Sequence, residues 1–195
     1  NDVAPALAAA FSTNIPIVAL HLTRPAIEVP DREKMGIASY LDASKGAYLI
    51  RDYDERPREG VIIVRGTSST NTVVSILDDI SSKYNVKIVS AISWELFDMQ
   101  NTQYKSSIIG DQEWADSMVI TNTGLNVMKN WISNRVVADY SLSPDWDNRW
   151  RTGGSLEQII EEAHLSPRWV IKSISKFTAD RSKRFERLKQ EIPEK

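Results

Sequence analysis

The chain of 195 residues is 42% apolar and 26% charged, a balance that excludes intrinsic disorder and fibrous repeats and predicts one full domain with room for a fragment of another. A net charge of -2 and an isoelectric point near 5.8 give no reason to expect nucleic acid or an anionic membrane as a partner. Cysteine is absent, which removes disulfides, thiolate catalysis and sulfur-ligated metals and fits residence in the cytoplasm.

Apolar runs fall well short of the ~20 residues that a membrane-spanning helix needs. The first residue is Asn1, and no basic region followed by an apolar run opens the chain, so an internal cut or a processed product is expected. Pro5 to Phe11 is alanine-rich and predicts a helix; Asn14 and Pro16 end it, and the apolar run Ile17 to Leu22 predicts a strand. Residues 23–45 hold Pro25, Pro30 and Gly36 without a sustained period, which marks a connector with at most one short helix. Strands are then predicted at Ala47 to Arg51, Val61 to Val64, Val86 to Ser90, Ser117 to Thr121 and Val136 to Tyr140. Between them, helices are expected from about Ser69 to Tyr84, with Val73, Leu77, Ile80 and Tyr84 on one face, over Trp94 to Ile109, and over Gly124 to Ser133. Alternating strands and helices imply an α/β fold, a doubly wound, mainly parallel sheet of about five strands with helices on both faces. Beyond a loop over 142–154, Ser155 caps one helix, Ser166-Pro167 opens another, and Asp180 to Lys195 is rich in Arg, Lys and Glu, as in a solvated tail.

Arg65-Gly66-Thr67-Ser68-Ser69-Thr70 follows a strand and opens a helix, a position that favours anions. It lacks the glycines of a dinucleotide fingerprint and the Gly-Lys-Ser or Gly-Lys-Thr of a phosphate loop, so a tight turn with hydroxyl capping accounts for it better. The two histidines, His21 in an apolar strand and His164 at a helix end, make a zinc site improbable without cysteine. No Gly-x-Ser-x-Gly elbow is present to expose a nucleophilic serine. Of the six tryptophans, Trp146, Trp150 and Trp169 lie in the last third, where packing in a core or an interface outweighs ligand stacking. Arg24 leaves the strand 17–22 at its C-terminal end, where α/β sheets bind ligands and a five-donor fork suits phosphate or carboxylate; a plain salt bridge is the alternative.

The segment from Val86 through Ser93-Trp94-Glu95-Leu96-Phe97-Asp98-Met99-Gln100 to Tyr104 and Ser107-Ile108-Ile109 resembles the C-terminal domain of the transketolase family. That family has a strand ending in Val-Val-Ser, then Ser-Trp-Glu-Leu-Phe-Asp-x-Gln and Tyr-x-x-Ser-Val-Leu-Pro. Ala43-Ser44-Lys45-Gly46-Ala47-Tyr48-Leu49-Ile50-Arg51-Asp52 is similar to its Ala-Ser-Lys-Gly-Gly-Tyr-Val-Leu-x-Asp, and Val61 to Ser68 takes the place of Ile-Leu-Ile-Ala-Thr-Gly-Ser-Glu. Pro16 to Arg24 is similar to the last strand of the middle, pyrimidine-binding domain, which ends in Leu-Ser-Arg-Gln, with Pro25 standing for the final Gln. Thr121-Asn122-Thr123-Gly124 replaces the usual Val-Glu-Ala-Gly, and Trp150 to Ser155 replaces Phe-Gly-x-Ser-Ala.

The resemblance implies residues 1–30 as the end of the middle domain, 31–45 as a linker, 46–178 as the C-terminal domain and 179–195 as a charged helical tail. It implies transfer of a two-carbon ketol unit between sugar phosphates by a homodimer. Thiamine diphosphate and a divalent ion, Mg or Ca, would be held by the remaining transketolase domains or subunit and not by this chain, which would support assembly without being catalytic alone. The resemblance also makes Arg24 the one site residue, a contact to the substrate phosphate. Other thiamine enzymes of the same C-terminal fold, such as a 2-oxoacid dehydrogenase β subunit or a deoxyxylulose-phosphate synthase, are one alternative, against which Ser93 to Asp98 favours transketolase, and a non-catalytic regulatory or interaction module of the same fold is another.

Overall fold

The structure, a computed structural model, describes residues 1–22, 26–149, 151 and 153–191. Helix α1 (Val3–Ser12) comes first, and a 3-10 turn over Tyr40–Lys45 leads into strand β1 (Ala47–Arg51). Strand β2 (Val61–Arg65) is followed by α2 (Thr67–Ser75) and α3 (Leu77–Lys83), and β3 (Lys87–Ala91) by α4 (Trp94–Asp98), α5 (Thr102–Ile108) and α6 (Asp111–Ala115). After β4 (Ser117–Thr121) come a 3-10 turn at Leu125–Trp131, then α7 (Arg135–Tyr140), α8 (Leu156–Glu162), α9 (Pro167–Ala179) and α10 (Arg181–Glu191).

The sheet has the order β1-β3-β2-β4, with β3, β2 and β4 parallel and β1 antiparallel on the edge of β3. Strands buried on both faces show continuous apolar runs, as parallel strands between helix layers do. Alternate residues feed two cores. Ile62, Val64, Ile88, Met118 and Ile120 pack with Val73 and Ile80 of α2 and α3 and with Val170, Ile174 and Phe177 of α9. Val61, Ile63, Val89 and Val119 pack on the other face with Phe97, Ile108, Met128 and Trp131. Helices on both faces of a mostly parallel sheet make this the expected α/β fold.

Several local expectations are corrected. Val136 to Tyr140 is helical, because Asn134 accepts from Val137 N at 2.9 Å and caps a turn whose Val136 and Val137 still reach the core. The position beside β4 goes instead to Leu142, in a single-residue parallel bridge to Ile120. Among the described residues the sheet therefore has four strands where five were expected. The helix expected over 69–84 breaks at Ile76, whose φ of -118° leaves helical space, and that over 94–109 breaks where Asn101 accepts from Tyr104 N at 2.8 Å. The turn over 125–131 is 3-10 where an α-helix was expected. Ile17 to Leu22 forms no strand: Ile17 is 82% and Leu22 70% exposed, and a strand needs a sheet neighbour, which this run lacks among the described residues.

The solvated tail is corrected at Arg184. This residue of α10 is 1% exposed, its guanidinium paired with Asp116 and donating from Nε to Phe177 O at 3.1 Å, while Arg181 Nε reaches the other Asp116 oxygen at 2.8 Å. Burial lowers the pKa of Arg184 and the Asp116 charge opposes that shift. Removing Arg184 would take one charge-assisted bond from the buried Asp116 and leave it with Arg181. Arg184→Ala is therefore expected to cost about 1.5–3 kcal/mol in chemical denaturation, and a loss below about 1 kcal/mol would mean that α10 is a dispensable tail.

Candidate functional site

Ligands of open α/β sheets gather at the carboxyl ends of the parallel strands, here Arg65 of β2, Ala91 of β3 and Thr121 of β4. Gly66 itself is the N-cap of α2, at φ +91°, and no side chain caps the helix, so hydroxyl capping does not explain the serines and threonines that follow. They turn to other partners. Asn122 Nδ2 donates to Ser68 Oγ at 2.9 Å, while Ser69 and Thr72 are buried beneath. The end of β4 is therefore stitched to the start of α2, and glycine is required there: a Cβ on residue 66 would lie 1.7 Å from Asn122 Oδ1. Ser69 Oγ and Asn122 Oδ1 are buried without a hydrogen-bond partner. Thr121 and Thr123 share a hydroxyl contact of 2.9 Å, and Asp145 Oδ2 accepts from Leu125 N at 3.1 Å. Arg65 Nη1 leans on Met128 Sδ at 3.9 Å. This edge offers amides, hydroxyls, one guanidinium and the Asp145 carboxylate, which is already taken by Ser143 Oγ and Leu125 N, a set suited to binding or packing.

The second constellation is Ser93 to Gln100. Ser93 caps α4 by accepting from Leu96 N at 3.4 Å and donates to Glu95 Oε2 at 3.0 Å. Phe97 is buried and stacks on Trp131 at 5.4 Å, and half-buried Trp94 meets Trp114 and Trp131 edge-on at 6.0 and 5.3 Å. Tyr104 OH donates to Ala47 O at 2.8 Å; burial and the Asp42 charge raise its pKa to about 12, so it stays a donor at neutral pH. Gly46, at φ +84°, accepts from Ile92 N and Ser93 N at 2.9 and 3.0 Å, so close that a Cβ would sit 2.2 Å from Phe97 N. The motif locks β1 and β3 to α4 and α5.

Residues 46–138, including both constellations' strands, match the family model described as the Transketolase-like TK C-terminal domain. This segment is a transketolase-like C-terminal domain. A chloroplastic transketolase of Craterostigma plantagineum is 32% identical over 94 residues, 46% of this chain and 18% of that protein. A chloroplastic transketolase of Zea mays is 29% identical over 97 residues, 48% of this chain and 14% of its own length. Among solved structures, transketolase from Pichia stipitis in complex with sedoheptulose-7-phosphate matches with a TM-score of 0.57 at 19% identity, over 73% of this chain and 19% of that one. Transketolase from Leishmania mexicana matches with a TM-score of 0.56 at 15% identity, over 74% and 19%. The chain spans less than a fifth of the length of these relatives, and the structural likenesses show the fold alone.

Arg24, with Thr23 and Pro25, lies outside the described residues, as do Trp150 and Thr152. His21 is exposed and in no strand, contrary to expectation, and His164 ends α8. Among the described residues no group of three or more His, Asp or Glu is placed to hold a metal ion. Asn122 is the edge residue that the sequence reading did not single out by itself, although its segment departs from the Val-Glu-Ala-Gly of the family.

Gly66→Ala is expected to cost about 1–3 kcal/mol for the positive φ alone, with the Asn122 overlap added. Asn122→Ala removes that overlap, so the double variant should lose less than the sum of the single variants in urea denaturation. Strict additivity would show that the stitch between β4 and α2 is not formed.

Proposed function

We propose that the chain is the C-terminal part of a thiamine-diphosphate-dependent transketolase, transferring a two-carbon ketol unit between sugar phosphates only when joined to the remaining domains or subunit. The transketolase-like domain supports the family, and one observation carries the division of labour. Among the large apolar side chains exposed in the described residues, Phe11, Ile17, Val18, Leu20, Leu22 and Val29 follow one another in the segment ahead of β1. An apolar run of strand type without a sheet is what the last strand of a second domain presents when its neighbours are not there. In this reading residues 1–30 close the middle domain, 31–45 link, 46–178 form the C-terminal domain and 179–195 are its charged helical end. The sheet packs on the middle domains and supports a homodimer.

The donor set argues for the cofactor's place. Thiamine diphosphate with a divalent ion needs carboxylate or amide oxygens converging on the metal, and the described residues bring no three His, Asp or Glu together. On the resemblance to the family, we assign the cofactor and its Mg or Ca to the other domains. The cytoplasm is the compartment of this proposal, since a chain without cysteine needs no oxidising environment; the plant relatives are chloroplastic by name. The test is ketol transfer by the upstream region with and without this chain. Activity needs both parts, and full activity of the upstream region alone would overturn the proposal.

Arg24 is the proposed contact to the substrate phosphate, on its position after residues 17–22 and on the resemblance to Leu-Ser-Arg. Losing one charge-assisted contact is worth roughly 1.5–3 kcal/mol, so Arg24→Ala in the complete enzyme should lower kcat/KM for phosphorylated acceptors about 10- to 150-fold. Unphosphorylated acceptors should hardly change. An equal fall for both would assign Arg24 to the fold or the interface.

A further inference from the structure

Three rings join the loop after Leu142 to the corner between α8 and α9. His164 ends α8 at φ +59°, a left-handed conformation that a residue other than glycine takes under local constraint. Its imidazole lies between two indoles, 4.1 Å from Trp146 with 11° between the planes and 3.7 Å from Trp169 with 22°. Trp169 is fixed on α9: its Nε1 donates to Glu161 Oε1 at 2.9 Å, and Lys172 Nζ lies 4.5 Å from its ring centre. Trp146, 53% exposed, belongs to the loop, and one of its faces is taken by His164.

The charged groups around the imidazole come from three elements. The loop brings Asp147, Arg149 and Arg151; α8 brings Glu161 and Glu162; α9 brings Arg168 and Lys172. Each carboxylate already has its own cations or donors. Glu161 accepts from Arg168, Ser166 and Trp169, which hold its pKa down at about 2. Asp147 is paired with Arg149 and Arg151, and Glu162 with Arg149. A proton on His164 would gain attraction from the indole faces. Against that, it would lose hydration and meet Arg151 and, to a smaller extent, Lys172, while Glu161 and Asp147, each already paired with cations, offset part of the cost. Burial first, and Arg151 second, hold the imidazole pKa below its ordinary value.

We propose that His164 is a proton-operated pin: its neutral ring clamps Trp146 of the loop 143–149 through the Trp146–His164–Trp169 stack, and its protonation releases the Trp146 indole while the Arg149–Glu162 pair keeps the loop on α8. In the clamped state the ring takes its proton below the ordinary 6.5, and in the released state near it. The clamp is complete above that value and is lost as the pH falls through the depressed one.

The full chain labelled with 5-fluorotryptophan tests this by fluorine NMR from pH 7.5 to 5.0, with Trp146 assigned from Trp146→Phe and the His164 ring followed in a carbon-correlated spectrum. The Trp146 resonance should shift with the same midpoint as the His164 ring, below 6.5, while Trp94, Trp114 and Trp131 stay in place. His164→Phe keeps a ring without a titrating nitrogen and should abolish the shift. His164→Asn, which tolerates the left-handed backbone, should place Trp146 at its acid position already at pH 7.5. A Trp146 resonance indifferent to His164 titration, a shift that survives in His164→Phe, or a His164 midpoint at or above 6.5 would overturn the proposal. Should His164→Phe fail to fold, the wild-type titration and His164→Asn still decide.

Discussion

Strand β2 has neighbours on both sides and no solvent face, and the rest of the structure answers to that. Val61 to Val64 are fully buried, flanked in parallel by β3 and β4. A four-residue run without a wet side cannot be covered by one layer, because successive side chains point to opposite faces. Ile62 and Val64 therefore require α2, α3 and α9, while Val61 and Ile63 require α4, α5 and the turn at 125–131. The crossovers that carry those helices also bring three strand ends to one edge. The edge with Gly66, Ser68 and Asn122 is a consequence of covering β2 twice.

How far this was legible follows from the range of each interaction. β2, β3 and β4 were legible because a buried parallel strand needs a β-branched run and little else. The same signal misled at Val136-Val137, where an Asn134 cap two residues back outweighed β propensity, and at Ile17 to Leu22, where propensity had no partner to act with. The Ser93 to Asp98 motif was legible as a family signature, and the reason lies in local geometry: a cap, a buried Phe97 and a backbone approach to Gly46. Contacts across long separations left no trace in composition or period. Asp116 with Arg184 and Trp146 with His164 are such pairs, and Gly66 as an uncapped N-cap could be recognised only once Asn122 was beside it.

Ser68 and Asn122 occupy positions at which the family pattern carries glutamate in both Thr-Gly-Ser-Glu and Val-Glu-Ala-Gly. Two carboxylates at adjacent strand ends repel unless a proton or a cation is shared between them. Here an amide donates to a hydroxyl at 2.9 Å instead, a neutral pair that needs neither. The charge of the carboxyl edge is shifted accordingly, with Arg65 close by and Asp145 held by Ser143 and Leu125.

The family match ends at residue 138, yet the physical domain does not. Val170, Ile174 and Phe177 of α9 are fully buried in the same cluster as Ile62 and Val64, and Leu165 joins them. Exposing four such side chains costs about 6–12 kcal/mol at roughly 1.5–3 kcal/mol each, as much as the whole stability of a typical domain, about 5–15 kcal/mol. A chain cut at 138 would keep α2 and α3 on that face of β2 but lose α9, and with it most of the stability of a typical domain, whatever its resemblance to the family. Sequence likeness stops earlier because covering a sheet face requires only apolar residues at helical spacing, which many sequences satisfy. Gly46 against Phe97 admits almost no other residue, so the recognisable half of the domain is the half with the narrow tolerances.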